Sequence, residues 1–99
     1  MKKLKNIHPG DILQEELLLR LKISAYRLAK NTGIPQTRIS EIVKGNRRIT
    51  AGTALRFSKY FGTAAKFWLG LQVDFDLERE KFSNKKELEG IKHYSSTSA

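Results

Sequence analysis

The sequence has no cysteine, and its 99 residues include only two prolines, one tryptophan and one methionine. Without cysteine there is no disulfide framework and no thiolate to bind a metal or act as a nucleophile. The fold must therefore rest on its hydrophobic core, and the composition suits a reducing cytosol. Long apolar runs are also missing: the longest, residues 17–19 and 67–69, are three residues each, against the ~20 that a membrane-spanning helix needs. The opening MKKLKN leads into His-Pro-Gly rather than an apolar signal core, so a soluble, cytoplasmic protein is expected. The length points to one domain, because chains split only beyond roughly 250 residues.

Acidic residues are scarce where basic ones gather. The formal charge is +9 and the pI near 10.0. Residues 1–23 contribute +2, residues 24–50 +5 with Glu41 as their one acid, residues 51–73 +3 with no acid, and residues 74–99 −1. Such an excess makes the compact state repel itself and draws it to polyanions. The middle of the chain is the polyanion-facing part, and it shows no broad Trp/Phe/Leu face to bury in lipid.

What is present is a succession of helix signals. Pro9, with Asp11, Glu15 and Glu16 after it, opens a first helix whose core stripe is Ile12, Leu13 and Leu17. Ser24 caps a short second helix stopped at Gly33, Pro35 starts a third that ends at Gly45, Thr50 caps a fourth ending at Gly62, and Thr63 caps a fifth running to about Glu80. This spacing leaves no room for strands. Helices so short are stable only when packed on one another, and the predicted fold is an all-α, five-helix bundle. The fifth helix carries one apolar stripe through Ala64, Trp68, Leu71 and Phe75 and a second through Leu69, Val73 and Leu77. The second stripe either closes the core from another side or packs on a second copy, and dimerisation through Leu69, Val73 and Leu77 is the expectation. Residues 1–82 form the domain, and residues 83–99 a polar, flexible tail.

Two short helices joined by a glycine-containing turn describe a DNA-binding helix-turn-helix, here at residues 24–44. Leu28, Ala29, Ile34, Ile39, Ile42 and Val43 are its inner positions. Gln36, Thr37, Arg38 and Ser40 stand at the N-terminal end of the second helix, which such motifs push into the major groove, and their chemistry suits base edges. Ser24, Tyr26 and Arg27 before it, and Lys44, Asn46, Arg47 and Arg48 after it, suit phosphates.

HPGDIL (8–13), SAYRLAKNTGIPQTRISEIVKGNRRIT (24–50), TALRFSKYFGT (53–63) and KFWLGLQVDFDLE (66–78) together resemble the HigA-type antitoxins, a branch of the phage-repressor-like (XRE/Cro) helix-turn-helix proteins. The resemblance covers about residues 7 to 80. It implies a homodimer that binds a palindromic operator in its own promoter and neutralises a co-encoded toxin, a small basic HigB-like mRNA endonuclease of the RelE class. By position it places Gln36, Thr37 and Ser40 on bases and Ser24, Arg27, Lys44, Asn46 and Arg47 on phosphates. The chain departs from the family pattern at Leu19, Arg20 and Lys22, where a proline and a glycine are expected between the first two helices. The alternative is a stand-alone phage-type regulator with no toxin partner.

No catalytic residue, metal site or cofactor is expected. His8 and His93 lie far apart in sequence, and Asp74, Asp76, Glu78 and Glu80 are spaced to fall on different sides of a helix, as a solvated face. His8 reads as setting the start of the first helix rather than moving protons. Ser24 and Thr50 read as caps, with no base placed to activate them. Phe67, Trp68 and Phe75 read as core.

Overall fold

A computed structural model describes residues 6–95, and all regular structure among them is helical. Helix α1 covers residues 9–21, α2 is Ala25–Thr32, α3 is Gln36–Val43, α4 is Ala51–Phe61, α5 is Ala65–Ser83 and α6 is Lys85–Glu89. The five expected helices are present, and a short sixth follows them. In the segment expected as a polar tail, α6 is the one regular element among the described residues, and residues 85–95 are exposed. Residues 96–99 of that segment, and residues 1–5, lie outside the described ones.

The His-Pro-Gly start of α1 has a separate task for each residue. His8 Nδ1 accepts the Gly10 N–H at 2.8 Å, so the imidazole caps the helix in the way Ser or Asp usually does. Pro9 occupies the first helical position, where its missing N–H costs nothing. Gly10 lies against the carbonyl of Ile42 at the end of α3, so close that any Cβ would overlap that oxygen. The His8 ring also meets Phe75 of α5 edge-on, with centroids 4.8 Å apart. The start of α1 is thereby wedged between α3 and α5.

The core is drawn from every helix of the domain. Leu13, Leu18, Leu28, Ile34, Ile39, Ile42, Ile49, Ala54, Phe57 and Trp68 are all buried. Ala29 and Val43, expected inside, are half-buried against this cluster. Trp68 closes it, packing edge-on against Phe57 at 5.0 Å. Phe75 is half-buried, whereas Phe67 departs from the expected core and stands exposed.

Two helix ends differ from the sequence reading. Thr63 does not cap α5: Ala64 holds the cap position without a side-chain bond, and the Thr63 hydroxyl oxygen instead accepts the indole N–H of Trp68 at 2.8 Å. A buried tryptophan needs a partner for its one polar atom, and that demand outweighs a cap at an exposed terminus. Helix α1 closes without glycine. Lys22 takes the left-handed conformation (φ 56°, ψ 45°), while the Ile23 N–H reaches the Leu18 carbonyl at 2.9 Å and the Lys22 N–H reaches that of Leu19. That bonding pattern normally places glycine where Lys22 stands. Within α1, Leu13–Leu18 is π-helical.

Two stability predictions follow from these contacts. An L-residue in the left-handed region costs about 1–2 kcal/mol, of which glycine's looser unfolded state returns part. Lys22→Gly should thus raise stability by about 0.5–1 kcal/mol, read as a higher urea midpoint with an unchanged slope. For His8, burial disfavours the imidazolium; Asp11 and Asp76 pull its pKa up and Arg79 pushes it down, and it settles below the usual 6.5. Because the unfolded chain then binds the proton more readily, the contribution is intact above pH 6.5 and is lost as pH falls through the lowered value. Urea midpoints should drop between pH 7.5 and 5.5 in the wild-type chain and stay nearly level in His8→Asn, which keeps a capping side chain; equal slopes in both would remove His8 from the account.

Candidate nucleic-acid interface

Helices α2 and α3 with the turn between them form the helix-turn-helix, and their inner residues fix which side chains face out. Leu28, Ile34, Ile39 and Ile42 are buried, so α3 is pinned along one side. Gly33 supplies the turn at φ 77°, a left-handed value that ends α2 and lets Ile34 drop into the core. On the open side Gln36, Thr37 and Arg38 are exposed in the first turn of α3, with Ser40 half-buried one turn later. Pro35 holds the cap position with no side-chain bond. The four residues expected to read bases therefore lie on one short stretch of α3, and the exposed three stand at its positive dipole end.

The residues expected on phosphates bracket α3 in the chain. Ser24 Oγ accepts the Arg27 N–H at 3.0 Å, which caps α2 and leaves the hydroxyl hydrogen to donate outward. Tyr26 and Arg27 are exposed on the next turn. Beyond α3, the Gly45 N–H bonds to the Ile42 carbonyl and the Asn46 N–H to that of Glu41, closing the helix and turning the loop. Lys44, Asn46, Arg47 and Arg48 are all exposed there.

Both loop arginines are oriented by a carboxylate. Arg47 Nε donates to Glu41 Oε1 at 2.7 Å, and Arg48 donates through a terminal nitrogen to Asp76 Oδ2 at 2.6 Å. Each contact takes one edge of a guanidinium and leaves other donors for a phosphate. Exposed pairs of this kind hold about 0–1 kcal/mol, enough to bias a rotamer and too little to withhold it from DNA. Burial alone raises the Asp76 pKa, but hydrogen bonds from Gln72 and Arg48 and the charges of Arg48 and Arg79 outweigh it, holding the carboxyl below its usual range.

Sequence reasoning assigned no role to Gln72 and placed Asp76 in a solvated acidic face. Gln72 is buried; its Oε1 accepts the Ile49 N–H at 2.7 Å and its Nε2 donates to Asp76 Oδ1 at 3.0 Å. The loop carrying Arg47 and Arg48 is thus tied to α5 at two neighbouring points. The available signal was a glutamine one turn after Trp68 and between half-buried Leu71 and Phe75, a place where an amide survives only with a partner. Glu78 pairs with Lys81 at 3.7 Å, and no group of three or more potential metal ligands occurs among the described residues. Ser24 and Thr50 both act as caps.

Two of the three residues expected at a dimer contact face away from the core on α5. Val73 and Leu77 are 51% and 54% exposed, and Leu69 is half-buried at the edge of the core. No helix among the described residues is long and apolar enough to cross a membrane.

A helix-turn-helix family model matches residues 14–68. Virulence-associated protein I of Dichelobacter nodosus is 50% identical over 72 residues, 73% of this chain and 67% of that protein; across several curated relatives the matched stretch spans 61–67% of their length. An addiction module antidote protein of the HigA family from Coxiella burnetii superposes with a TM-score of 0.86 at 44% identity, over 92% of this chain and all of that one. The Pseudomonas aeruginosa antitoxin HigA, solved with the higBA promoter, gives 0.88 at 34% identity with the same coverage. The chain belongs to the helix-turn-helix family and, within it, to the HigA-type antitoxins.

Proposed function

We propose that the chain is a cytoplasmic, sequence-specific transcriptional repressor that acts as the antitoxin of a toxin–antitoxin pair. It binds operator DNA in its own promoter as a homodimer and neutralises a small basic toxin of the HigB-like, RelE-related class. The observation that carries this reading is the exposed, acid-free first turn of α3, bracketed by the basic loop that Gln72 and Asp76 hold in place. The P. aeruginosa neighbour solved with a promoter supports it.

Gln36, Thr37, Arg38 and Ser40 read base edges, Gln36 matching adenine and Arg38 guanine. Ser24, Tyr26, Arg27, Lys44, Asn46, Arg47 and Arg48 grip the phosphates on either side. Leu69, Val73 and Leu77 join two copies, setting two recognition helices about 34–36 Å, or a multiple of that, apart on the duplex. Repression is by occlusion of the promoter. The domain ends at about residue 82, and α6 lies outside it. The chain regulates and binds; it catalyses nothing and needs no cofactor.

If a dimer neutralises roughly six to eight phosphates, log affinity for the promoter falls with log salt at a slope of about −5 to −7. Gln36→Ala should lose about 1–3 kcal/mol per half-site on the operator and almost nothing on random DNA, whereas Arg47→Ala, which removes one phosphate contact from each copy, should weaken both and flatten the slope by about 2. Fluorescence anisotropy on the two DNAs at several salt concentrations reads all of this, and equal losses on both DNAs for Gln36→Ala would mean that another face of α3 reads the bases. Co-expressed with the product of a small basic reading frame beside its gene, the tagged chain should retain that product through purification. Failure to retain it favours a stand-alone repressor.

A further inference from the structure

Helix α5 carries a face that is self-complementary when turned end for end. Centred on Val73, residues four positions away in either direction are Leu69 and Leu77, and residues seven positions away are Lys66 and Glu80. At 100° per residue all five fall within about 40° of one line along the helix. Lys66, Val73, Leu77 and Glu80 are exposed and Leu69 is half-buried. Gly70 lies beside them, exposed, with nothing within 4 Å of where its Cβ would stand. A glycine inside a helix costs about 1 kcal/mol relative to alanine, and no packing among the described residues requires one there. Lys66 forms no ion pair among the described residues.

We infer that two copies pack α5 against α5 in antiparallel register, with the twofold axis passing beside Val73, Leu69 and Gly70 of one copy facing Leu77 of the other, and Lys66 facing Glu80. This rests on the dimeric reading proposed above and specifies its geometry. A twofold interface brings the same patch to both sides, so every contact off the axis occurs twice. Charge decides between the two directions of packing. Parallel alignment sets Lys66 against Lys66 and Glu80 against Glu80, whereas antiparallel alignment gives two opposite-charge pairs about 10 Å either side of the axis, at 1.5 Å rise per residue. At the shallow crossing of roughly 20° usual for such helix pairs, the missing side chain at Gly70 lets the backbones approach and leaves room for Leu77. The acidic run that reads as a solvated face thereby supplies, through Glu80, one end of the contact.

The chain's lack of cysteine makes the register directly measurable by introduced thiols. In the full-length protein, Val73→Cys should form a disulfide-linked dimer under mild oxidation, because only residues at the axis meet their own copies. Leu69→Cys and Leu77→Cys should each stay unlinked alone and should cross-link when the two variants are mixed. Lys66→Glu and Glu80→Lys should each weaken the dimer several-fold by sedimentation, and the double variant should restore it. A wild-type chain that is monomeric at all concentrations overturns the dimeric reading itself. A wild-type dimer in which Leu77→Cys links to itself, or in which Val73→Cys does not link and the double charge reversal fails to restore association, keeps the dimer and overturns this register.

Discussion

The buried amide of Gln72 is the interaction on which the two ends of the molecule depend. Through Oε1 it holds the Ile49 N–H, and through Nε2 it holds Asp76, which in turn orients Arg48. Ile49 is itself 1% exposed, so its N–H has no recourse to water, and losing the partner costs about 1–3 kcal/mol. The segment leaving α3 must run back into the core at Ile49 before Thr50 caps α4, and Gln72 is what permits a buried backbone group at that bend. Because Gln72 sits on α5, the basic loop and the helix proposed to join two copies share one rigid element. In the proposed dimer the spacing of two recognition helices on DNA is then set by helix packing and not by a flexible linker.

The last turn of α3 is itself fixed by packing. Gly10 touches the Ile42 carbonyl, and the His8 ring lies beside Gly45, within van der Waals reach of where a Cβ there would stand, while meeting Phe75. The last turn of α3 is therefore gripped from α1 as well as anchored by Ile39 and Ile42 from below. Its first turn, with Gln36, Thr37 and Arg38 exposed and no capping side chain, is left open. A helix held at its C-terminal end and bare at its N-terminal end can enter a groove without giving up any contact that stabilises the fold.

Most of this architecture was legible in the sequence because it is written in local chemistry. Ser24 and Thr50 cap, Gly33 and Gly62 close helices in the left-handed region, and the apolar spacing of α2 and α3 predicts the buried Leu28, Ile39 and Ile42. Other positions depart from that local chemistry. Thr63 looks like a cap, but Trp68 claims its hydroxyl; the family pattern expects a glycine near Lys22, but the bonds to Leu18 and Leu19 hold the lysine in a glycine's conformation. Phe67 has the spacing of a core residue and stands outside it. For Thr63 and Lys22 a specific bond, to a side chain five positions on or between backbone groups, decides what residue type alone does not. Gln72 and Asp76 were illegible because their partners, Ile49 and Arg48, lie 23 and 28 positions away.

The scarcity of acids has the same non-local logic. Glu41 is the one acid in residues 24–50, and it sits against Arg47 Nε. An acid beside a surface proposed to bind phosphates repels DNA by itself. Paired through a single edge of the guanidinium it instead limits the rotamers of an exposed arginine that keeps other donors, lowering the entropy lost on binding. Asp76 does the same for Arg48 from another helix. The net charge of +9 therefore supplies long-range attraction, while the few acids placed among the cations decide where those cations point.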